Sequence, residues 1–135
     1  MGTINFRSTM KGLPMSETPS LAHTLATTSQ VSPHRACFFL RVRPEKLAEY
    51  ADVHQRVWDE MLQALRDAGW RHYSLFLDPD TGLVVGYYEA DDARAAAAAM
   101  EDLEVNTRWQ AEMAQYFQPD GGGTAHFLSQ YFYLA

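Results

Sequence analysis

Apolar residues switch between the strand period of two and the helical period of 3.6 in an order that admits few folds. Phe38, Leu40 and Val42 alternate with Cys37, Phe39 and Arg41, the pattern of a strand with one buried face. Pro44 and Glu45 then suit the first turn of a helix, where a missing amide donor costs little and a carboxylate meets the positive end of the dipole. Leu47, Tyr50, Val57, Met61 and Leu65 fall on one helical face, so a single long helix is expected, closed by Gly69 in a left-handed cap. Tyr73–Leu77 and Leu83–Tyr88 flank Asp78-Pro79-Asp80-Thr81-Gly82, which predicts an antiparallel hairpin. Asp91 or Asp92 can cap a second helix through the alanine run. A further helical stretch is expected from about Leu103 to Phe117, stopped by Gln118-Pro119-Asp120 and three glycines, and Phe127 to Leu134 reads as a last aromatic strand. The order β-α-β-β-α-β predicts an α+β sandwich with helices on one face of a four-stranded antiparallel sheet. The other face carries large apolar side chains, so a homodimer is expected.

Composition narrows the function classes. The 135 residues fit one compact domain, and the apolar runs fall far short of the roughly 20 residues of a membrane span. A net charge of −6 with 11 scattered basic residues argues against a nucleic-acid partner, whose phosphates call for clustered Lys and Arg. The single Cys37 closes no intrachain disulfide, and a cytoplasmic location is the expectation. Residues 1–34 are rich in Ser and Thr, lack apolar periodicity and carry a net charge of +1, against −7 for the rest. They read as a flexible tail ahead of a domain over 35–135, arising from an upstream start with Met10 and Met15 as alternative initiation points.

Tyr50, His54 and Trp58 are spaced four apart on the expected first helix and share the stripe of Leu47, Met61 and Leu65. An imidazole on a core stripe is either a hydrogen-bonded core histidine or, where helix and sheet leave a cavity, a group that moves protons in both directions near neutral pH. Tyr73, Tyr87, Tyr88, Trp109, Tyr131 and Tyr133 are expected to face inward, and rings with hydroxyl tips suit a sugar. Packing alone accounts for most of them. The five histidines have no metal-ligand spacing, so no metal is predicted. Gly121-Gly122-Gly123 follows a helix and lacks the Lys-Ser or Lys-Thr of a phosphate cradle, and reads as a turn. Asp91, Asp92, Glu101, Asp102 and Glu104 read as solvated, cap-forming carboxylates.

The segment from Phe38 to Leu134 resembles the L-rhamnose mutarotase family. The likeness rests on Val42-x-Pro44, on Glu49-Tyr50-x-x-x-His54-x-x-x-Trp58-x-Glu60, and on Tyr73-Ser74-Leu75-Phe76-Leu77-Asp78. Arg108-Trp109 and Phe132-Tyr133-Leu134 complete it. The resemblance implies a ferredoxin-like fold of the dimeric α/β-barrel type and an isomerase that needs no cofactor, interconverting the α and β anomers of L-rhamnose or a related aldose. It implies that His54 transfers the proton, that Tyr50 and Tyr73 touch the sugar, and that Trp109 forms a stacking wall. The chain departs from the family at Gln110, where a second tryptophan is usual, at Gln55-Arg56-Val57, and at the glycine loop. Gln110 thereby exchanges stacking area for a hydrogen-bonding amide at the site. Two other readings stand beside this one: a cofactor-independent monooxygenase on the same fold, and a sugar-binding module without activity.

Overall fold

The computed structural model describes residues 17–135. The first 16 residues of the expected tail, with the alternative starts Met10 and Met15, lie outside the described residues. The chain forms two units: residues 32–129, and a smaller one made of Gln130–Ala135 with the described residues up to Val31.

The smaller unit contains a helix, α1 (Leu21–Thr27), where the sequence predicts no regular structure. Ser20 caps it, its side chain accepting from the His23 amide at 3.1 Å and so satisfying one of the donors a helix start leaves unpaired. The Thr28 hydroxyl donates to the Tyr131 carbonyl at 3.4 Å, and the Tyr133 amide donates to Gln30 Oε1 at 3.2 Å.

In residues 32–129 the elements are β1 (Arg35–Arg41), α2 (Leu47–Val53), α3 (Asp59–Asp67), β2 (Arg71–Leu77), β3 (Leu83–Glu89), α4 (Ala93–Glu101), α5 (Glu104–Met113) and β4 (His126–Phe127). The sheet order is β2-β3-β1-β4 with every neighbouring pair antiparallel, the ferredoxin-like arrangement of the expected α+β sandwich. The turn at Asp78–Gly82 is as its residues demand: the Asp78 carboxylate accepts from the Asp80 amide and the Thr81 hydroxyl, and Gly82 takes φ +80°. Asp92 is the cap of α4, accepting from the Ala95 amide at 3.1 Å.

Cross-strand rows separate the two faces of the sheet. Leu75, Gly86, Phe38 and Phe127 form one row, and Leu77, Val84 and Leu40 the next; these face the helices. Gly86 is required there, because a Cβ at that position would lie 2.3 Å from the Phe38 ring. Phe76, Val85, Phe39 and His126 form a row on the opposite face, with Ser74, Tyr87 and Cys37 beside it. Val42, Leu47, Tyr50, Met61, Met100, Trp109 and Met113 are buried together between sheet and helices.

Two expected elements differ. The long first helix is broken: α2 passes through a 3₁₀ turn, His54–Arg56, and Val57 and Trp58 adopt extended backbone before α3 begins. Side chains cause this by taking the carbonyls that the next turn of helix needs, with Gln55 Nε2 on the Ala51 carbonyl and the His54 ring on that of Tyr50. The last strand shrinks to His126–Phe127, because β1 offers its outer edge only briefly. Beyond the Leu128 amide on the Cys37 carbonyl the pairing stops, and residues 130–135 join the smaller unit. Among the described residues no helix is long and apolar enough to cross a membrane.

Candidate active site

Tyr50 and His54 keep their i, i+4 relation across the helix break. Their rings lie 4.4 Å apart between centroids, and His54 Nδ1 lies 2.8 Å from the Tyr50 main-chain carbonyl. A carbonyl only accepts, so Nδ1 carries a proton, and in the neutral ring the lone pair is therefore on Nε2. The break therefore has a chemical product: a carbonyl released from the helical ladder fixes the imidazole tautomer and ring orientation.

His54 and Tyr50 line a cavity of about 590 Å³ between the helices and the sheet, within the range of about 300–1,000 Å³ that holds small ligands. Phe38, Leu40, Val84, Met61 and Met100 supply apolar lining. Tyr73 enters from β2, which carries an extra residue between Arg71 and Ser74, with His72 at φ +51°. Same-face residues on a strand are ordinarily two apart; the extra residue lets Trp70 and Tyr73, three apart, share the inner face. There Trp70 stacks on Tyr88 at 3.7 Å and 17°, and Tyr73 packs 4.9 Å from Trp70 and 6.3 Å from Phe38. The Trp70 indole N–H donates to the Ala96 carbonyl at 2.9 Å, and the Tyr88 hydroxyl to that of Ala93 at 2.8 Å.

The two cavity phenols hold their protons tightly. Burial pushes Tyr50 up to about 12. Tyr73 keeps part of its surface open on the edge strand, yet rings on several sides desolvate its hydroxyl and raise its pKa, and the nearby phenols of Tyr50 and Tyr88 raise it further. Both side chains are thus neutral hydrogen-bonding groups facing the same space.

Trp109 on α5 is buried and meets His54 edge-on at 5.5 Å and 88°, and Trp58 at 5.1 Å and 87°. Trp58 reaches this place through the extended link, not through the helical spacing that singled it out. Arg108 lies over the Trp58 ring at 5.4 Å and pairs with Glu60 and with Glu104, tying α3 to α5. Gln110 is exposed at the rim and donates from Nε2 to Asn106 Oδ1 at 3.2 Å. His54, Tyr50, Tyr73, Trp109 and Gln110 all line the one cavity.

Three aromatics expected inside are elsewhere. Tyr87 points to the helix-free face, its hydroxyl donating to Glu89 at 2.7 Å, because strand alternation sends it opposite to Tyr88. Tyr131 and Tyr133 are exposed and belong to the smaller unit, the strand that would have turned them inward having ended at Phe127. Two cavity residues, Trp70 and Asn106, escape sequence reasoning. The signal for Trp70 is its place beside Gly69 at a strand entry; Asn106 offers none beyond lying one turn before Trp109. Among the described residues, no group of three His, Cys, Asp or Glu side chains converges as a metal site.

The sequence profile of the L-rhamnose mutarotase family matches residues 35–134. The L-rhamnose mutarotase of Bacillus subtilis (strain 168) is 36% identical over 102 residues, covering 74% of this chain and 97% of that protein. The L-rhamnose mutarotase of Tolumonas auensis is 32% identical over 103 residues, 75% of this chain and 98% of that one. The fold is similar to the crystal structure of an L-rhamnose mutarotase from Formosa agariphila, with a TM-score of 0.64 at 22% identity over 75% of this chain and 98% of that chain.

Proposed function

Because the chain belongs to the L-rhamnose mutarotase family, we propose that it is an isomerase that interconverts the α and β anomers of L-rhamnose or a related aldose by ring opening at His54. The observation that carries this reading is the fixed tautomer: Nδ1–H is committed to the Tyr50 carbonyl, and Nε2 is a base beside an aromatic cavity. The anomeric hydroxyl gives its proton to Nε2 as the C1–O5 bond opens, and the imidazolium returns that proton to O5. Rotation about C1–C2 presents the other face of the aldehyde, and reclosure reverses both transfers. The positive charge forms on the imidazole, where the Tyr50 carbonyl supports it through Nδ1–H, and the matching negative charge passes from O1 to O5 until the proton is returned there. Tyr50 and Tyr73, which keep their protons, donate to sugar oxygens and orient the pyranose, while Trp109 walls the cavity and buttresses the imidazole. The reaction as drawn uses only these side chains.

The helix-free sheet face supports a homodimer. Phe76, Val85 and Phe39 form an apolar row there with no helix of residues 32–129 over it. The protein is assigned to the cytoplasm, where a free sugar and an unpaired Cys37 are both at home.

The test is NMR saturation transfer between the anomeric protons of L-rhamnose, with L-fucose, L-mannose and D-glucose alongside. The protein is expected to accelerate exchange at catalytic concentration, and His54→Ala to lose about 100-fold or more. A folded protein that binds sugar without accelerating exchange, or an undiminished His54→Ala, overturns the assignment.

A further inference from the structure

Tyr73 stands on β2, an edge strand paired on one side only, one residue after His72 with its positive φ. Among the described residues no hydrogen bond uses the Tyr73 hydroxyl, so the rings packed against the phenol are what aim it. Trp70 is the nearest of them, at 4.9 Å between centroids, against 6.1 Å for Tyr88 and 6.3 Å for Phe38. Trp70 is itself held firmly. Its amide donates to the Leu65 carbonyl at 3.0 Å and that of Gly69, at φ +95°, to the Arg66 carbonyl at 3.0 Å, the paired bonds of a Schellman cap on α3. Its indole N–H donates to the Ala96 carbonyl on α4 at 2.9 Å, and its ring stacks on Tyr88 at 3.7 Å. The Tyr88 hydroxyl donates in turn to the Ala93 carbonyl at 2.8 Å, one turn earlier on the same helix. Two stacked rings are thus anchored to the backbone of α4, where the short side chains of Ala93 and Ala96, both buried, leave the carbonyls within reach.

We propose that Trp70 is a positioning residue for the sugar contact of Tyr73: anchored to α4 by its indole N–H, it holds the Tyr73 ring so that the hydroxyl stays aimed into the cavity. This rests on the mutarotase reading above, in which Tyr73 donates to the sugar. A hydrogen bond to a substrate contributes fully only when its donor is in place before the substrate arrives. A ring on an edge strand that is free to swing has to be ordered during binding, and that ordering subtracts from affinity and from alignment of the sugar with His54. Trp70 removes this cost by transferring the rigidity of a buried helix backbone to an exposed strand.

The test is a double-mutant cycle on kcat/KM, taken from anomer-exchange rates of L-rhamnose or of whichever sugar of the set above the protein turns over fastest. Its members are the wild type, Trp70→Phe, Tyr73→Phe and the double variant, each checked by circular dichroism for an intact fold. Trp70→Phe keeps an aromatic ring against Tyr88 and Tyr73 and removes the indole donor to Ala96. Tyr73→Phe is expected to lose about tenfold, the loss of one hydrogen bond to the sugar. Trp70→Phe is expected to lose about fivefold in the wild-type background and less than about twofold in the Tyr73→Phe background, because it acts through a hydroxyl that is no longer there. Thermal stability should fall alike in both backgrounds, since a ring at position 73 is present in each, so a merely structural role would leave the kinetic losses equal. Tyr88→Phe, which removes the neighbouring anchor on Ala93 and keeps the stack, runs the same cycle with a milder change. Equal kinetic losses in the two backgrounds, no loss from Trp70→Phe in the wild type, or full activity of Tyr73→Phe overturns the proposal while the mutarotase reading stands. Absence of acceleration by the wild type for any of the sugars overturns both.

Discussion

At the scale of single residues, the site is organised by where protons are held. His54 is given a free Nε2 by one carbonyl, and Tyr50 is kept neutral by burial. The second effect is a stability statement. The folded-state pKa of Tyr50, about 12, stands above the ordinary phenol value of about 10, so between those pH values the native state binds more protons than the unfolded chain. The stability this contributes is intact below about pH 10 and disappears as pH rises towards 12, an amount of about 2–3 kcal/mol. Urea unfolding at pH 7, 10 and 12 should show that decline, and Tyr50→Phe should show a smaller one. An equal decline in the variant would mean that other phenols carry it. The i, i+4 spacing of Tyr50 and His54 was legible in the sequence, because a single helical turn survives the break that follows it. Asn106 was not, since what distinguishes it is a bond to the Met100 carbonyl, and adjacency of two helix ends leaves no trace in periodicity.

At the scale of elements, the same comparison separates local from non-local causes. The hairpin, the Asp92 cap and the ferredoxin-like order follow from turn chemistry and period, which act within a few residues. The break at His54 and the short β4 depend on competition for carbonyls and on how much of an edge β1 exposes, which no window along the chain reports. The rows across the sheet give a prediction of the same non-local kind. Phe38 fits over Gly86 only because that strand position has no Cβ, and an added methyl would approach three ring atoms at 2.3–2.8 Å. Gly86→Ala should therefore destabilise by about 1–3 kcal/mol, the usual cost of overpacking a core. Placed in a Phe38→Ala background, the same change should cost markedly less, because the clash has no second partner. Thermal unfolding of the four proteins of this cycle measures the coupling, and equal costs in both backgrounds would show that the sheet relaxes around the methyl.

At the scale of the molecule, the helices of residues 32–129 cover one face of the sheet and leave Phe76, Val85, Phe39 and Tyr87 on the other. This second face follows from a four-stranded layer with a single helical layer: alternation sends every second strand residue away from the core, and here the row Phe76, Val85 and Phe39 is apolar. Val85 is the point at which to test what covers them. It lies mid-row between Phe76 and Phe39 on the helix-free face and lines no part of the cavity, so a charge there leaves the inner packing and the catalytic groups untouched. Sedimentation velocity at micromolar concentration is expected to give twice the 15.3 kDa chain mass for the wild type and a single chain for Val85→Glu, with the circular dichroism of the two alike. Persistence of the dimer in Val85→Glu would place the interface elsewhere, because a carboxylate cannot be carried into a paired apolar sheet face without a partner or a cost of several kcal/mol.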